Sequence, residues 1–199
     1  MRRAAPLLLL LAGLVLTPAG GAAPLQGPPA RLAIVNYYPA DNAWTRMWTR
    51  WRPQTLERDF RRIAALRATT VRLIVAPRAF GYPRPRAGRI RRLARAVALA
   101  ERQGLTVQLT LFDWWGQYGE VERSRRWAEE VLAPFAGDRR IAFVELQNEL
   151  DATRSDAVAW ARALIPAVRA AARRPVALSP RGEPAPGVRL LEAGLGAAR

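Results

Sequence analysis

The sequence contains no cysteine, no histidine and no lysine, so all 32 of its basic side chains are arginine. Each absence removes chemistry. Without thiolate or imidazole there is no zinc site of the usual donors, no Ser-His-Asp triad and no cysteine nucleophile; without lysine there is no Schiff base. What remains is carboxylate chemistry, arginine electrostatics, or a hard cation held by oxygen ligands. Nothing in the pattern calls for a cofactor or a metal. Long hydrophobic runs are also missing, and Leu7 to Leu16 is too short to span a bilayer comfortably. That run follows Arg2 and Arg3 and precedes the small residues Ala19 to Ala23, the order of a secretory signal peptide over residues 1–23, cleaved between Gly21 and Ala23. A secreted or periplasmic protein is expected, with no membrane attachment after cleavage. Residues 24–30 (PLQGPP and Ala30) then form a short extended lead-in.

Acidic side chains are scarce. Setting aside Arg2 and Arg3, 30 basic groups face 16 acidic ones. Such an excess invites a nucleic-acid reading. The arginines are spread along the chain, however, at polar positions of expected helices. No basic block is interleaved with aromatics, so a solvated arginine-rich surface is the better account and no nucleic-acid partner is expected.

Five β-rich runs recur, Arg31–Tyr38, Thr69–Ala76, Leu105–Phe112, Ile141–Asn148 and Pro175–Ser179, with starts 38, 36, 36 and 34 residues apart. Helical patterns lie between them. Leu56, Phe60, Ile63 and Leu66 share one face, as do Ile90, Leu93, Val97 and Ala100. Trp127, Val131, Leu132 and Phe135 form the third set, and Val158, Ala161, Ile165 and Val168 the fourth, with Ser155 or Asp156 as its cap. Regular strand-helix alternation argues for an α/β fold with a parallel sheet, and nearly continuous apolar strands suit one buried on both faces. No glycine-rich phosphate loop follows the first strand, which disfavours a dinucleotide-binding sheet. A partial (β/α)8 TIM-type barrel of about five βα units out of eight is expected over residues 31–199. Gly187–Gly194 is read as loop and short helix. Either a longer reading frame or an open half-barrel would account for five units, an open parallel edge being a hazard.

The strand ends hold the unusual residues, where parallel barrels keep their chemistry. Asn36, Tyr37 and Tyr38 follow the first run, with Trp44, Trp48 and Trp51 at spacings that fit packing on one helix face. Arg72 interrupts the second, where it needs an acidic partner, in a structural ion pair or an active-site role. The third ends in Asp113-Trp114-Trp115-Gly116. Asp113 caps a turn or binds substrate; Trp114 and Trp115 plug the barrel mouth or stack on sugar rings. The fourth ends in Asn148-Glu149. Glu145 precedes Glu149 by an even number of residues, so a regular strand points both into the barrel, with Arg72 a candidate partner for Glu145. A carboxyl group at a strand end, beside an amide that can hold a hydroxyl, suits a general acid for cleaving a sugar bond.

The runs TTVRLIV around Arg72, LTLFDWWG around Asp113 and FVELQNEL around Glu149 resemble the clan A glycoside hydrolases, the (β/α)8 group that includes the cellulase-like family 5. The resemblance implies that Glu149 is the acid/base, that Asn148 holds a substrate hydroxyl and that Arg72 supports the catalytic carboxylates. Asp113, Trp114, Trp115, Asn36 and Tyr37 join them as expected substrate contacts. In the clan the nucleophilic Glu closes strand seven, and no residue here takes that role; the cleft histidines common in family 5 are also missing. The expected function is a secreted retaining glycoside hydrolase acting on a poly- or oligosaccharide, with a non-catalytic carbohydrate-binding pseudo-enzyme as the alternative. Glu149 is expected to be kept protonated by enclosure near Trp114 or Trp115.

Overall fold

A computed structural model describes residues 31–182. The expected signal peptide, the lead-in and the segment Gly187–Gly194 lie outside them. Five strands form one parallel sheet in the order of the sequence. They are β1 (Ile34–Asn36), β2 (Thr70–Ile74), β3 (Thr106–Phe112), β4 (Ile141–Gln147) and β5 (Val176–Ala177). Each lies inside one of the five runs read from the sequence. The connections carry α1 (Thr45–Thr49), α2 (Pro53–Ala65), α3 (Pro77–Phe80), α4 (Ala87–Glu101), α5 (Val121–Leu132) and α6 (Ser155–Ala172). Proline opens α2 and α3 at the first position, where its missing N–H has no helical partner to lose.

Every residue of β3 is buried, because helices cover one face of the sheet and polar side chains of neighbouring strands fill the other. Strand alternation sorts the two faces. Val71, Leu73, Val107, Leu109, Val144 and Leu146 belong to the core shared with Phe60, Leu93, Trp127 and Ile165 of the helices. On the opposite face the register sets Thr70 beside Thr106, Arg72 beside Gln108 and Thr110 beside Glu145. The Thr70 and Thr106 hydroxyls hydrogen-bond at 2.8 Å, so the polar face begins at the amino end of the sheet.

Several local expectations need correcting. Leu66 is 77% exposed, because α2 ends at Ala65 and the chain reverses through Arg67 at φ 61° to enter β2. Neither Ser155 nor Asp156 caps α6; Arg154 holds that position, and Asp156 instead pairs with Arg154 at 2.7 Å and accepts from the Ala157 N–H at 2.9 Å. Trp44, Trp48 and Trp51 do not share a helix face, since α1 runs only five residues. Trp48 is buried with its indole N–H on the Ile74 carbonyl at 2.7 Å, Trp51 stacks on Trp48, and Trp44 stays 52% exposed.

Candidate active site

The polar face of the sheet converges on Glu145. Its Oε2 accepts from Arg72 Nη2 at 2.6 Å, Arg72 Nε at 2.8 Å, Thr110 Oγ1 at 2.6 Å and Gln108 Nε2 at 3.0 Å. Its Oε1 accepts from Ser179 Oγ at 2.7 Å. A carboxylate only 5% exposed and so fully supplied with donors is an anchor, not a reactant. Arg72 thus forms the ion pair its sequence position called for. It neutralises Glu145, and its Nη2 also donates to Asn148 Oδ1 at 2.7 Å.

Asn148 lies just beyond β4 and is fixed from three sides. Its backbone N–H donates to the Phe112 carbonyl at 2.9 Å, its Oδ1 accepts from Arg72, and its Nδ2 donates to Asp113 Oδ1 at 2.9 Å. An amide nitrogen carries two hydrogens, and the bond to Asp113 uses one. The second is not used by that bond. Asn36, at the end of β1, reaches the same guanidinium, its Oδ1 3.4 Å from Arg72 Nη1.

Glu149 departs from the strand geometry. It follows the end of β4 with φ 52°, so the alternation that aims Glu145 inward does not carry over to it. Its N–H donates to Ser179 Oγ at 3.2 Å, and that hydroxyl also holds Glu145. The side chain lines a cavity of about 200 Å³ together with Asn148, Asp113, Trp114, Asp151 and Arg154. The enclosure expected around Glu149 is not found among the described residues: Glu149 is exposed.

Asp113 and Trp114 border both this cavity and a larger one of about 500 Å³ that Tyr38 and Trp44 also line. Trp114 is 77% exposed, at φ 52°, whereas Trp115 is half-buried against Tyr82 and Phe112. Packing is therefore the main role of Trp115, although it borders the smaller cavity. Tyr37 is a correction. As the neighbour of Asn36 it turns to the helix side, where it is buried against Phe60 and donates to Asp59 Oδ2 at 3.0 Å. Tyr38, not Tyr37, lines the larger cavity. Sequence reasoning also missed Gln108, Thr110 and Ser179 as Glu145 donors. The first two carried a signal, as polar residues two apart in an apolar strand.

Burial pushes the Asp113 carboxyl above its ordinary value, against the Asn148 hydrogen bond and the Arg72 charge, while the charges of Glu149 and Glu145 push it further up. A raised folded-state value means that ionising Asp113 costs stability. The stabilising contribution is present in acid and is lost as pH rises through the raised value. Asp113→Asn keeps an acceptor for Asn148 and removes the titration. Thermal melts are expected to show the variant above the wild type at pH 7, with the gain shrinking as pH falls through the raised value and gone by about pH 4. A gain independent of pH would contradict this.

No protein-family profile matches the sequence, and no curated protein does. Solved structures do. The GH5_18 structure from Bifidobacterium longum subsp. infantis matches with a TM-score of 0.63 at 21% identity, over 75% of this chain and 44% of that one. The GH5_18 structure from Streptomyces cattleya in complex with GlcNAc gives 0.60 at 18% identity, again over 75% and 44%. The exo-beta-1,4-mannosidase Op5Man5 from Opitutaceae bacterium strain TAV5 gives 0.57 at 25% identity, over 68% and 29%. The fold is that of part of a clan A glycoside hydrolase barrel. The chain spans less than half the length of each of these glycoside hydrolase chains. In such a barrel the carboxyl ends of the strands form the rim that carries chemistry, and here Asn36, Arg72, Asp113, Asn148 and Glu149 lie at or near those ends.

Proposed function

We propose that this chain carries the acid/base part of a secreted, retaining glycoside hydrolase acting on a poly- or oligosaccharide, with residues 1–23 as its export signal. The observation that carries the reading is the single guanidinium of Arg72, which ties Glu145, Asn148 and, through Asn148, Asp113 into one network, two members of which line a cavity with Glu149. Glu149 would protonate the leaving oxygen, and the unused Nδ2 hydrogen of Asn148 would hold a sugar hydroxyl. A second carboxylate roughly 5–5.5 Å away attacks the anomeric carbon in a retaining mechanism. No residue of this sequence is assigned that role. The exposure of Glu149 favours one second reading, a carbohydrate-binding module without hydrolysis.

Titration of the purified chain, followed by tryptophan fluorescence, tests the sugar site. GlcNAc and Manβ1-4GlcNAc, the sugars held by the Streptomyces cattleya structures, are suitable first probes. Saturable binding is expected, weakened roughly 3- to 10-fold by Trp114→Ala through loss of a ring-stacking surface. No release of nitrophenol from aryl glycosides is expected from this chain alone. Glu149-dependent release would place both carboxylates within it, contrary to the proposal. Salt-sensitive binding to DNA, with no response to saccharides, would replace the sugar reading with an electrostatic one.

A further inference from the structure

We propose that the larger cavity beside the rim takes an acidic sugar, a uronic acid whose carboxylate is received by Arg78. This rests on the sugar-binding reading above and names the substrate class of that site. The cavity, about 500 Å³, falls within the ~300–1,000 Å³ usual for small-molecule sites. Two exposed indoles border it, Trp44 and Trp114, flat apolar surfaces suited to sugar rings. Both stand on backbone that bulky residues seldom adopt, Trp44 at φ 57°, ψ −134° and Trp114 at φ 52°. Outliers of this kind concentrate at ligand-binding sites, where the surrounding structure holds them.

Charge then decides the class of sugar. Among the described residues lining the cavity, Arg78 is the one cation and Asp113 the one carboxylate. Asp113 is bound by Asn148, and no carboxylate among the described residues lies within ion-pairing distance of Arg78. Arg78 is exposed on the four-residue α3, directly after the strand-two end, which fixes its backbone beside the rim. A guanidinium that no described carboxylate neutralises, next to two indole faces, matches a ring bearing a carboxylate, which it can grip through two parallel N–H bonds. The arginine excess of the whole chain, 32 basic against 16 acidic side chains, would draw such a polyanion in from solution.

Calorimetric titration of the full chain with a uronic-acid trisaccharide, and with the same trisaccharide after reduction of its carboxyl groups, separates the outcomes. The acidic form is expected to bind about tenfold more tightly, as a charged hydrogen-bonded pair would give. Arg78→Gln should erase that preference and leave the affinity for the reduced form within about twofold. Arg162→Gln, an exposed change on α6, should leave the preference intact. Equal binding of both sugars by the wild type overturns the role of Arg78 but leaves the sugar site standing. A preference that survives Arg78→Gln, or falls equally in Arg162→Gln, overturns it too, in favour of general surface charge. Failure to bind either form overturns the acidic-sugar assignment, and the proposed function falls with it only if GlcNAc and Manβ1-4GlcNAc also fail to bind.

Discussion

Replacing Arg72 with methionine is expected to cost about 3–5 kcal/mol of folding stability, measurable by urea denaturation. The side chains of Arg72 and Glu145 are only 14% and 6% exposed, and Glu145 would be left buried without a counter-ion. Thr110, Gln108 and Ser179 still donate to that carboxylate, which places the cost toward the lower end. Changing Glu145 to methionine as well should recover part of the loss, since two apolar groups of matched shape tolerate burial better than one orphaned charge. The consequence for function is direct. Asn148 loses the donor that fixes its Oδ1, so the single variant should bind saccharide more weakly even where it stays folded. A loss below about 1 kcal/mol would mean that the ion pair does not organise the rim.

The second large effect is expected at Trp127, whose truncation to alanine should cost about 3–5 kcal/mol. Trp127 is fully buried, with its ring 5.0 Å from Phe112 and its indole N–H on the Gly81 carbonyl at 3.0 Å. Phe112 also meets Trp160 of α6 and Trp115 of the 113–116 loop. The aromatic cluster therefore clamps the segment that presents Asp113 and Trp114 to the two cavities. Trp127→Phe keeps most of the volume and loses the hydrogen bond, a change of about 1 kcal/mol. The alanine variant should also show faster amide exchange at Trp114 to Gly116. Unchanged exchange there, despite a large loss of stability, would uncouple the cluster from the loop.

The central strands β2, β3 and β4 were legible because strands buried on both faces write themselves as continuous apolar runs. Two charges sit inside such runs, Arg72 and Glu145; each needed a partner, and the even spacing from the strand-four end aimed Glu145 toward the same face. Other features lay beyond a linear reading. Tyr37 and Tyr38 look alike in sequence, but alternation sends one to Asp59 and the other to the cavity. Ser179 reaches Glu145 from 34 residues away, a contact that only the β4–β5 pairing creates. Glu149 leaves the strand alternation through its own turn at φ 52°, and no periodicity encodes that turn. Leu66 fitted a helical face but fell one residue past the end of the helix.

The structure of this chain bound to a saccharide such as Manβ1-4GlcNAc tests the central claim most directly. The sugar is expected at the carboxyl ends of the strands, with a ring against Trp114 and a hydroxyl about 2.7–3.2 Å from Asn148 Nδ2. A saccharide seated away from Asn148, Glu149 and Trp114 would contradict it.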